Sequence, residues 1–283
     1  MINVRINNNT NALNTLRQSG INNNAVANKF EKLSSGKRIN RAADDAAGLA
    51  ISEKMRTQIL GTMTASRNTQ DAVSLIQVAE GGLSSIQNML QRGRELAVQS
   101  ANSTNDNAVD RPAIQQEFEN IVAEIDSTAN TTQFNGMNVL DGTNDPVIIQ
   151  AGPNEGDTVN INIPSMTAGE LLGFEGEEYN AATDVNLSSG EAAASSIGTL
   201  DNAVNDISMQ RAELGAMQNR LEFRMQALDI QAENATAARS RISDTDMART
   251  MTELTTKNIL QQASNAMLAQ ANARPQNILG MLS

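Results

Sequence analysis

The sequence predicts a mainly α-helical protein, a long antiparallel helical bundle or coiled coil with a small β-hairpin element and paired N- and C-terminal helices. Two apolar stripes carry this prediction, because each repeats at alternating steps of three and four residues, the 3.5-residue period of a coiled-coil seam. The later stripe consists of Ile197, Leu200, Val204, Ile207, Arg211, Leu214, Gln218, Leu221, Met225, Leu228, Ala232 and Ala235. The earlier stripe consists of Ala72, Ile76, Ala79, Leu83, Ile86, Leu90, Gly93 and Ala97. Because the stripes lie far apart in the sequence, we expect their helices to pack against each other.

The elements before the midpoint of the chain follow from local patterns. Residues 1–35 are rich in Asn and have only a weak helical pattern, whereas residues 44–100 are predicted to be one helix. A polar loop at 102–110 precedes Pro112, which fits the first turn of a second helix. The stripe of that second helix consists of Ile114, Phe118, Ile121 and Ile125.

The pattern changes period in the middle of the chain. Residues 147–149 form an apolar run and residues 158–163 alternate strictly, so we expect two strands in a β-hairpin at about 139–164. Residues 173–193 are acidic and aperiodic, which is typical of an exposed connection. The returning helices end in residues 247–282, whose apolar stripe is ragged. We therefore expect both chain ends to be helices that need a partner to become ordered.

The composition excludes most familiar enzymes. The chain of 283 residues contains five Phe, one Tyr and no Trp, so burial must come from aliphatic side chains and Met. It has no Cys and no His, which removes disulfides, thiolate chemistry and catalytic sites built on histidine. Paired acidic residues lack the surroundings of a calcium loop. We predict that the chain is not an enzyme and has no cofactor, no metal and no catalytic residues.

Charge and hydropathy limit the partners. The net charge of −11 argues against nucleic acid as a partner and favours monomers that repel each other. No segment approaches the eighteen or so apolar residues of a membrane span, and we expect no membrane partner. The N-terminus lacks the apolar core of a secretory signal, so residence in the cytosol and export without a cleaved signal both stay open at this point.

Six sequence blocks resemble bacterial flagellin in that family's order. The first, EKLSSGKRINRAADDAAGLAIS at 31–52, is similar to the N-terminal flagellin signature. The others are QRGRELAVQSANST at 91–104, QFNGMNVLDG at 133–142, ELGAMQNRLE at 213–222, ARSRISDTDMA at 238–248 and ILQQASNAMLAQANARPQNIL at 259–279. Chance similarity among helical proteins does not place such blocks at opposite ends of a chain.

The resemblance implies a short flagellin without separate outer domains. Residues 1–42 and 240–283 would form the coiled coil of the filament's inner tube, disordered in the monomer. Residues 43–172 and 194–239 would form the elongated core domain, and 173–193 would replace the outer domains. The function implied is that of the self-polymerising filament subunit for motility, secreted unfolded by the flagellar export apparatus to an extracellular position in the flagellum.

The resemblance also implies partners and one alternative. The partners are an export chaperone at the C-terminal helix, the filament cap and the hook-associated proteins. The alternative function is that of a hook–filament junction protein, which shares related termini. A flagellin that displays an enzyme is disfavoured, because the chain has neither a His nor a large insert.

Two candidate sites for assembly lie near the chain ends. The charged block Arg38, Arg41, Asp44 and Asp45 resembles the link between terminal and core domains of flagellins. Its simpler interpretation is a solvated helix start with acidic residues near the N-terminus. The expected assembly residues of the terminal helices are Leu13, Leu16, Phe30, Leu33, Leu254, Leu260, Met267 and Leu268.

Two further features concern the predicted core. By resemblance, one helix surface stacks subunits and is bound by the vertebrate Toll-like receptor for flagellin; it comprises Arg92, Glu95, Leu96, Gln99, Glu117 and Arg220. Arg211 and Gln218 interrupt the later apolar stripe one heptad apart. Such polar residues either fix the register of a coiled coil or lie at its rim in contact with water.

Overall fold

The fold is mainly α-helical, as predicted. A computed structural model describes residues 8–104, 106, 109–173 and 185–282, with side chains as far as residue 274. Most of the predicted connection at 173–193 therefore lies outside the described residues. The helices are α1 Thr10–Ser35, α2 Ala46–Ala101, α3 Asp110–Thr131, α4 Ala168–Leu172, α5 Gly190–Ser243 and α6 Met247–Leu282. The chain divides into two compact units, Leu60–Ala232 and the combination of Met1–Ile59 with Glu233–Ser283.

The unit Leu60–Ala232, here called the core bundle, is built on the two predicted apolar stripes. All eight residues of the earlier stripe are buried, and the later stripe is buried or half-buried along its whole length. Helices α2 and α5 run antiparallel, because Arg94 pairs with Asp201 at 2.6 Å and Ser66 donates a hydrogen bond to Asp229 at 3.0 Å. The expectation that these two helices pack against each other is confirmed.

Helix α3 packs on α2 through the second predicted stripe. Ile114, Phe118 and Ile125 are buried, and Pro112 lies in the first turn as expected. Gly82 of α2 lies close to the segment that follows α3, since a Cβ there would lie 2.7 Å from the Leu140 Cδ1 atom and 2.9 Å from the Thr132 Oγ1 atom. Close packing at this position offsets the cost of about 1 kcal/mol that a glycine brings to a helix interior.

Two short antiparallel hairpins complete the core bundle. The predicted strands are β3 Val147–Gln150 and β4 Thr158–Ile161, paired from Val147 opposite Ile161 to Gln150 opposite Thr158. A second hairpin, β1 Gln133–Phe134 with β2 Met137–Asn138, was not predicted. Its turn residues Asn135 and Gly136 have φ of 51° and 78°, which is why an Asn-Gly pair is favoured there. That dipeptide was the available signal.

The other unit contains the terminal helices, which pack against each other as predicted. The contact between α1 and α6 contains hydrogen-bonded polar groups. Ser19 donates to the Asn265 Oδ1 atom at 3.0 Å, and Asn22 donates to the Ser264 Oγ atom at 2.9 Å. Both Ser19 and Asn22 are buried. We call α1 and α6 together the terminal pair.

Candidate interaction surfaces

The terminal pair carries most of its large apolar side chains on the outside. Of the eight predicted assembly residues, five are exposed and three are buried or half-buried. The exposed ones are Leu13, Leu16, Phe30, Leu260 and Met267. Leu254 is buried, and Leu33 and Leu268 are half-buried. Four further large apolar side chains of the pair are exposed, namely Ile21, Met247, Met251 and Ile259. The surface formed by the nine exposed side chains is here called the outer apolar surface of the pair.

Polar interactions set the register of the terminal pair. Asn9 donates from its side chain to the Ala271 carbonyl at 2.8 Å, which ties the start of α1 to α6. Near the other end, Lys29 pairs with Glu253, and this hydrogen bond holds the pKa of the Glu253 carboxyl below its usual value. The pair is therefore aligned by polar groups, and its apolar area stays free for other contacts.

The loops that connect α1 to α2 and α5 to α6 are joined by backbone hydrogen bonds. The Arg38 amide donates to the Ser243 carbonyl at 2.7 Å, and the Thr245 amide donates to the Gly36 carbonyl at 2.9 Å. The Arg38 guanidinium also donates to the Ile242 carbonyl at 2.6 Å. These bonds, called here the loop clasp, connect segments that lie about 200 residues apart in sequence.

The two acidic residues of the charged block have local roles. Asp44 accepts hydrogen bonds from the Asn40 and Arg41 amides, both at 3.1 Å, and these bonds lower the pKa of its carboxyl. Asp45 accepts from the Gly48 amide at 2.9 Å and so caps the start of α2. The simpler interpretation of the block, a helix start with acidic residues near its N-terminus, describes Asp45, whereas Asp44 holds the loop that precedes the helix. The exposed Arg41, which pairs with Glu31 at 3.0 Å, stays available for further contacts.

Arg92, Glu95 and Glu117 form an exposed ionic cluster on α2 and α3. Arg92 pairs with Glu117 at 2.6 Å across the two helices and with Glu95 at 3.0 Å within α2. The hydrogen bond with Glu117, followed by that with Glu95, raises the pKa of the Arg92 guanidinium. Gln99 lies exposed about one helical turn beyond Glu95 on α2. These four residues are called the ionic surface.

Two predicted members of this surface lie elsewhere. Leu96 is only 1% exposed and belongs to the core bundle, so the expectation that it contributes to the exposed surface is wrong. It lies three residues after the buried stripe residue Gly93, so its side chain is on the same face of α2. Arg220 is exposed on α5 at the level of residue 75 of α2, as the antiparallel pairing of Ser66 with Asp229 indicates. It is therefore roughly 25 Å from Arg92 along the bundle at about 1.5 Å per residue.

The described part of the chain shows neither a metal-binding cluster nor a membrane-spanning helix. Among residues 8–104, 106, 109–173 and 185–282, no cluster of three or more acidic side chains could hold a metal ion. In the same ranges, no helix combines the length and hydropathy of a membrane span.

Comparison with known proteins identifies the family. A family model for the bacterial flagellin N-terminal helical region matches residues 6–145, and one for the C-terminal helical region matches residues 197–282. Flagellin from Bacillus subtilis is 48% identical over 99% of this chain and 100% of its own length. The chain belongs to the flagellin family. The resemblance in the six sequence blocks is thereby confirmed.

Other relatives agree with the flagellin assignment. Flagellin from Halalkalibacterium halodurans is 48% identical over 98% of this chain and 99% of its own length. A protein named flagellar filament 31.3 kDa core protein, from Treponema maltophilum, is 45% identical over 98% and 99% of the two chains. A solved structure of a putative flagellar hook-associated protein from Vibrio parahaemolyticus matches with a TM-score of 0.57 at 15% identity, covering 71% of this chain and 100% of that one. At that identity the similarity concerns the fold alone.

The polar interior of the terminal pair was missed by sequence reasoning in this flagellin. The side chains that meet there are Ser19, Asn22, Ser264 and Asn265. The available signal was the high Asn content of residues 1–35, because Asn side chains on the packed face of a helix can form hydrogen bonds there. Because sequence patterns assign apolar faces to the inside of a pair, the reverse arrangement was not considered.

Proposed function

We infer that this chain is the structural subunit that polymerises into a bacterial flagellar filament. The observation that carries the inference is the outer apolar surface of the terminal pair, whose Leu13, Phe30 and Met267 are 63%, 57% and 62% exposed. Burying each such side chain contributes about 1.5–3 kcal/mol, and in a polymer of identical chains every copy gains this repeatedly. The name of the Treponema maltophilum relative as a filament core protein supports the same function.

The terminal pair acts as the assembly element in this proposal. Within one chain the pair buries polar groups such as Ser19 and Asn22, which offset little of the entropy lost on ordering two long helices. The helices α1 and α6 therefore become fully ordered only when neighbouring copies cover their apolar surface. The net charge of −11 keeps free subunits apart before that point. Folding of the ends and growth of the filament are then one event.

Export and further partners follow from the same property. A chain without disulfides is threaded unfolded through the flagellar export apparatus and reaches an extracellular position in the filament. Before export, the apolar side chains of α6 need cover, and an export chaperone at the C-terminal helix provides it. The filament cap and the hook-associated proteins are the partners that meet the termini at the ends of the filament. In this function the chain performs no chemical reaction.

Electron microscopy after salt-induced polymerisation tests the assembly role. We expect wild-type chains to elongate into long filaments, and chains that lack residues 247–283 to remain unassembled. The double substitution Leu16→Ser with Met267→Ser should raise the critical concentration at least about tenfold, because two buried apolar contacts per subunit are lost. The matched control Val98→Ser removes a 48% exposed apolar side chain of the core bundle and should change it less than about twofold.

Two outcomes would contradict the proposal in different ways. If the truncated chain polymerised at the same critical concentration as the wild type, the terminal pair would not be the assembly element. Short, non-elongating assemblies of the wild type would favour the hook–filament junction protein, the alternative function. The strong identity with flagellins along the whole chain favours the filament subunit.

We propose a second role for the ionic surface, recognition by the vertebrate Toll-like receptor for flagellin. Its exposed Arg92 is held between Glu95 and Glu117 and presents a fixed pattern of charge to a partner. A receptor reporter assay with the monomer should lose at least about tenfold in potency on Arg92→Ala. The control Arg94→Ala, which breaks the exposed pair with Asp201 on the same helix, should keep its potency. Silence of the wild-type monomer would end this proposal.

A further inference from the structure

The outward face of α5 carries a straight row of apolar side chains within the core bundle. Met209, Phe223 and Ile230 are 65%, 71% and 59% exposed, and the exposed Ala216 continues their spacing of seven residues. Each member follows a buried stripe residue by two positions, which is roughly 200° around a helix. The row therefore lies on the side of α5 opposite the core. We call Met209, Ala216, Phe223 and Ile230 the outer row.

The outer row differs from the scattered apolar side chains that any protein surface shows. Three large side chains lie on one line that extends over about 32 Å at 1.5 Å per residue. A spacing of seven residues is the repeat with which one helix meets another rod-like element along its length. On α2 the positions opposite the core include Ser74, Gly81, Asn88 and Glu95, which are polar or small. The apolar line is therefore a property of α5.

The charges beside the outer row indicate which partner it fits. One flank is uncharged from Asn205 through Ala212 and Asn219 to Gln226, whereas the other carries Asp206, Glu213 and Arg220. Two copies of a chain with a net charge of −11 repel each other over most of their surface. The apolar row with its uncharged flank is a part of that surface on which two copies approach with few like charges opposed.

The size of the outer row distinguishes a repeated contact from a discrete dimer. Three large side chains expose on the order of a few hundred Å², whereas a stable complex buries roughly 800 Å² on each partner. Such a contact is too small to hold two free subunits together. It contributes when many copies repeat it and when a second interface already holds them, which is the situation in a polymer.

We propose that the outer row of α5 docks on the core bundle of a second copy of this chain in the assembled filament. The proposal rests on the proposed function and adds a contact separate from the terminal pair. The row is open in the monomer and covered in the filament. The terminal pair provides most of the affinity, and the outer row fixes how neighbouring core bundles pack.

Matched substitutions on the same helical line test the proposal. Phe223→Glu places a carboxylate in the contact and should raise the critical concentration for polymerisation at least about tenfold, because an unpaired charge is costly to bury. Asn202→Glu lies one heptad before Met209 on the same line and should change it less than about twofold. Both variants should unfold at the wild-type denaturant concentration, since both positions are exposed.

Thiol labelling gives a second measurement that does not require an added charge. The chain has no Cys, so Phe223→Cys introduces a single thiol. We expect maleimide to modify it at least about tenfold more slowly in filaments than in monomers, with less than threefold slowing for Asn202→Cys. Equal labelling in both states, or protection already in the monomer, would overturn the proposal. Equal critical concentrations for Phe223→Glu and Asn202→Glu would do the same, whereas failure of the wild type to polymerise would overturn the proposed function instead.

Discussion

The core bundle and the terminal pair are both antiparallel helical assemblies, but the terminal pair buries polar side chains beside the apolar Leu254. In the bundle, Ile76, Leu83 and Leu200 are fully buried in one continuous apolar core. In the terminal pair, the buried Ser19 and Asn22 form hydrogen bonds, and large apolar side chains face outward. A bundle with an apolar interior gains its stability within one chain. The terminal pair buries less apolar area within one chain, so its ordering is proposed to depend on contacts with other chains.

The largest effect is expected from a cavity in the core bundle. Leu83 has no exposed area, so Leu83→Ala should lower the free energy of unfolding by about 2–5 kcal/mol. In the terminal pair, Leu16 is 56% exposed, and Leu16→Ala should change the same quantity by less than about 0.5 kcal/mol. Urea unfolding of the monomers followed by circular dichroism measures both. Equal losses for the two variants would show that the two regions do not differ as described.

Replacing polar by apolar side chains between α1 and α6 should make the terminal pair more stable within one chain. The double substitution Asn22→Leu with Ser264→Ala removes both partners of a buried hydrogen bond and adds apolar area. Such replacements are neutral to stabilising, and we expect about 1 kcal/mol of added stability for the pair. Limited proteolysis of the monomer should therefore cut α1 and α6 several-fold more slowly than in the wild type.

The control for this exchange is a position of α1 that takes no part in this hydrogen bond. Thr15→Leu adds apolar area to a half-buried position of α1 and leaves the hydrogen bond between Asn22 and Ser264 in place. It should protect the ends less than the double substitution does. Cleavage of the double variant at the wild-type rate would mean that the polar interior is not what keeps the terminal pair weak in the monomer.

The same difference explains what could be predicted from the sequence. The period of the stripes around Leu83 and Leu200 is a local property, and it was sufficient for the bundle and for the pairing of its helices. The β1–β2 hairpin was missed because strands of two residues carry almost no periodic signal. Which face of α1 turns inward depends on its contact with α6. Likewise, the position of Arg220 along the core bundle depends on how α5 pairs with α2. Such registers are set by contacts distant in sequence.

A smaller effect separates the two polar residues of the later stripe. Arg211 donates across the bundle to the Gln87 and Glu80 side chains, and its Nε atom is buried without a hydrogen bond. Gln218 donates to Glu222, one turn away in the same helix. Replacing both Arg211 and Gln218 by Leu should stabilise the monomer by about 1 kcal/mol and permit association in shifted registers. Of the two single variants, only Arg211→Leu should produce that association in sedimentation velocity.

Other results for the Arg211 and Gln218 variants would assign these two residues different roles in the later stripe. If Gln218→Leu alone produced shifted association, the polar side chain would act by excluding apolar neighbours, since its hydrogen bond stays within α5. If the double variant neither changed the unfolding midpoint nor associated, both residues would belong to the rim of the bundle.

The smallest effect concerns pH and the loop next to the terminal pair. The Asn40 and Arg41 amides lower the pKa of Asp44 from the ordinary value of 3.8, and these bonds are absent in the unfolded chain. The charged carboxylate therefore stabilises the folded loop above pH 3.8, and this contribution is lost as the pH falls through the lowered pKa. Asp44→Asn should remove less than about 1 kcal/mol at neutral pH, because solvent reaches the side chain and screens its interactions. It should also flatten the acid dependence of amide exchange at Asn40 and Arg41.

The control Asp71→Asn, on the exposed face of α2 in the core bundle, should leave that dependence unchanged. Parallel loss of protection in Asp44→Asn and the wild type would show that acid acts on the loop through other groups.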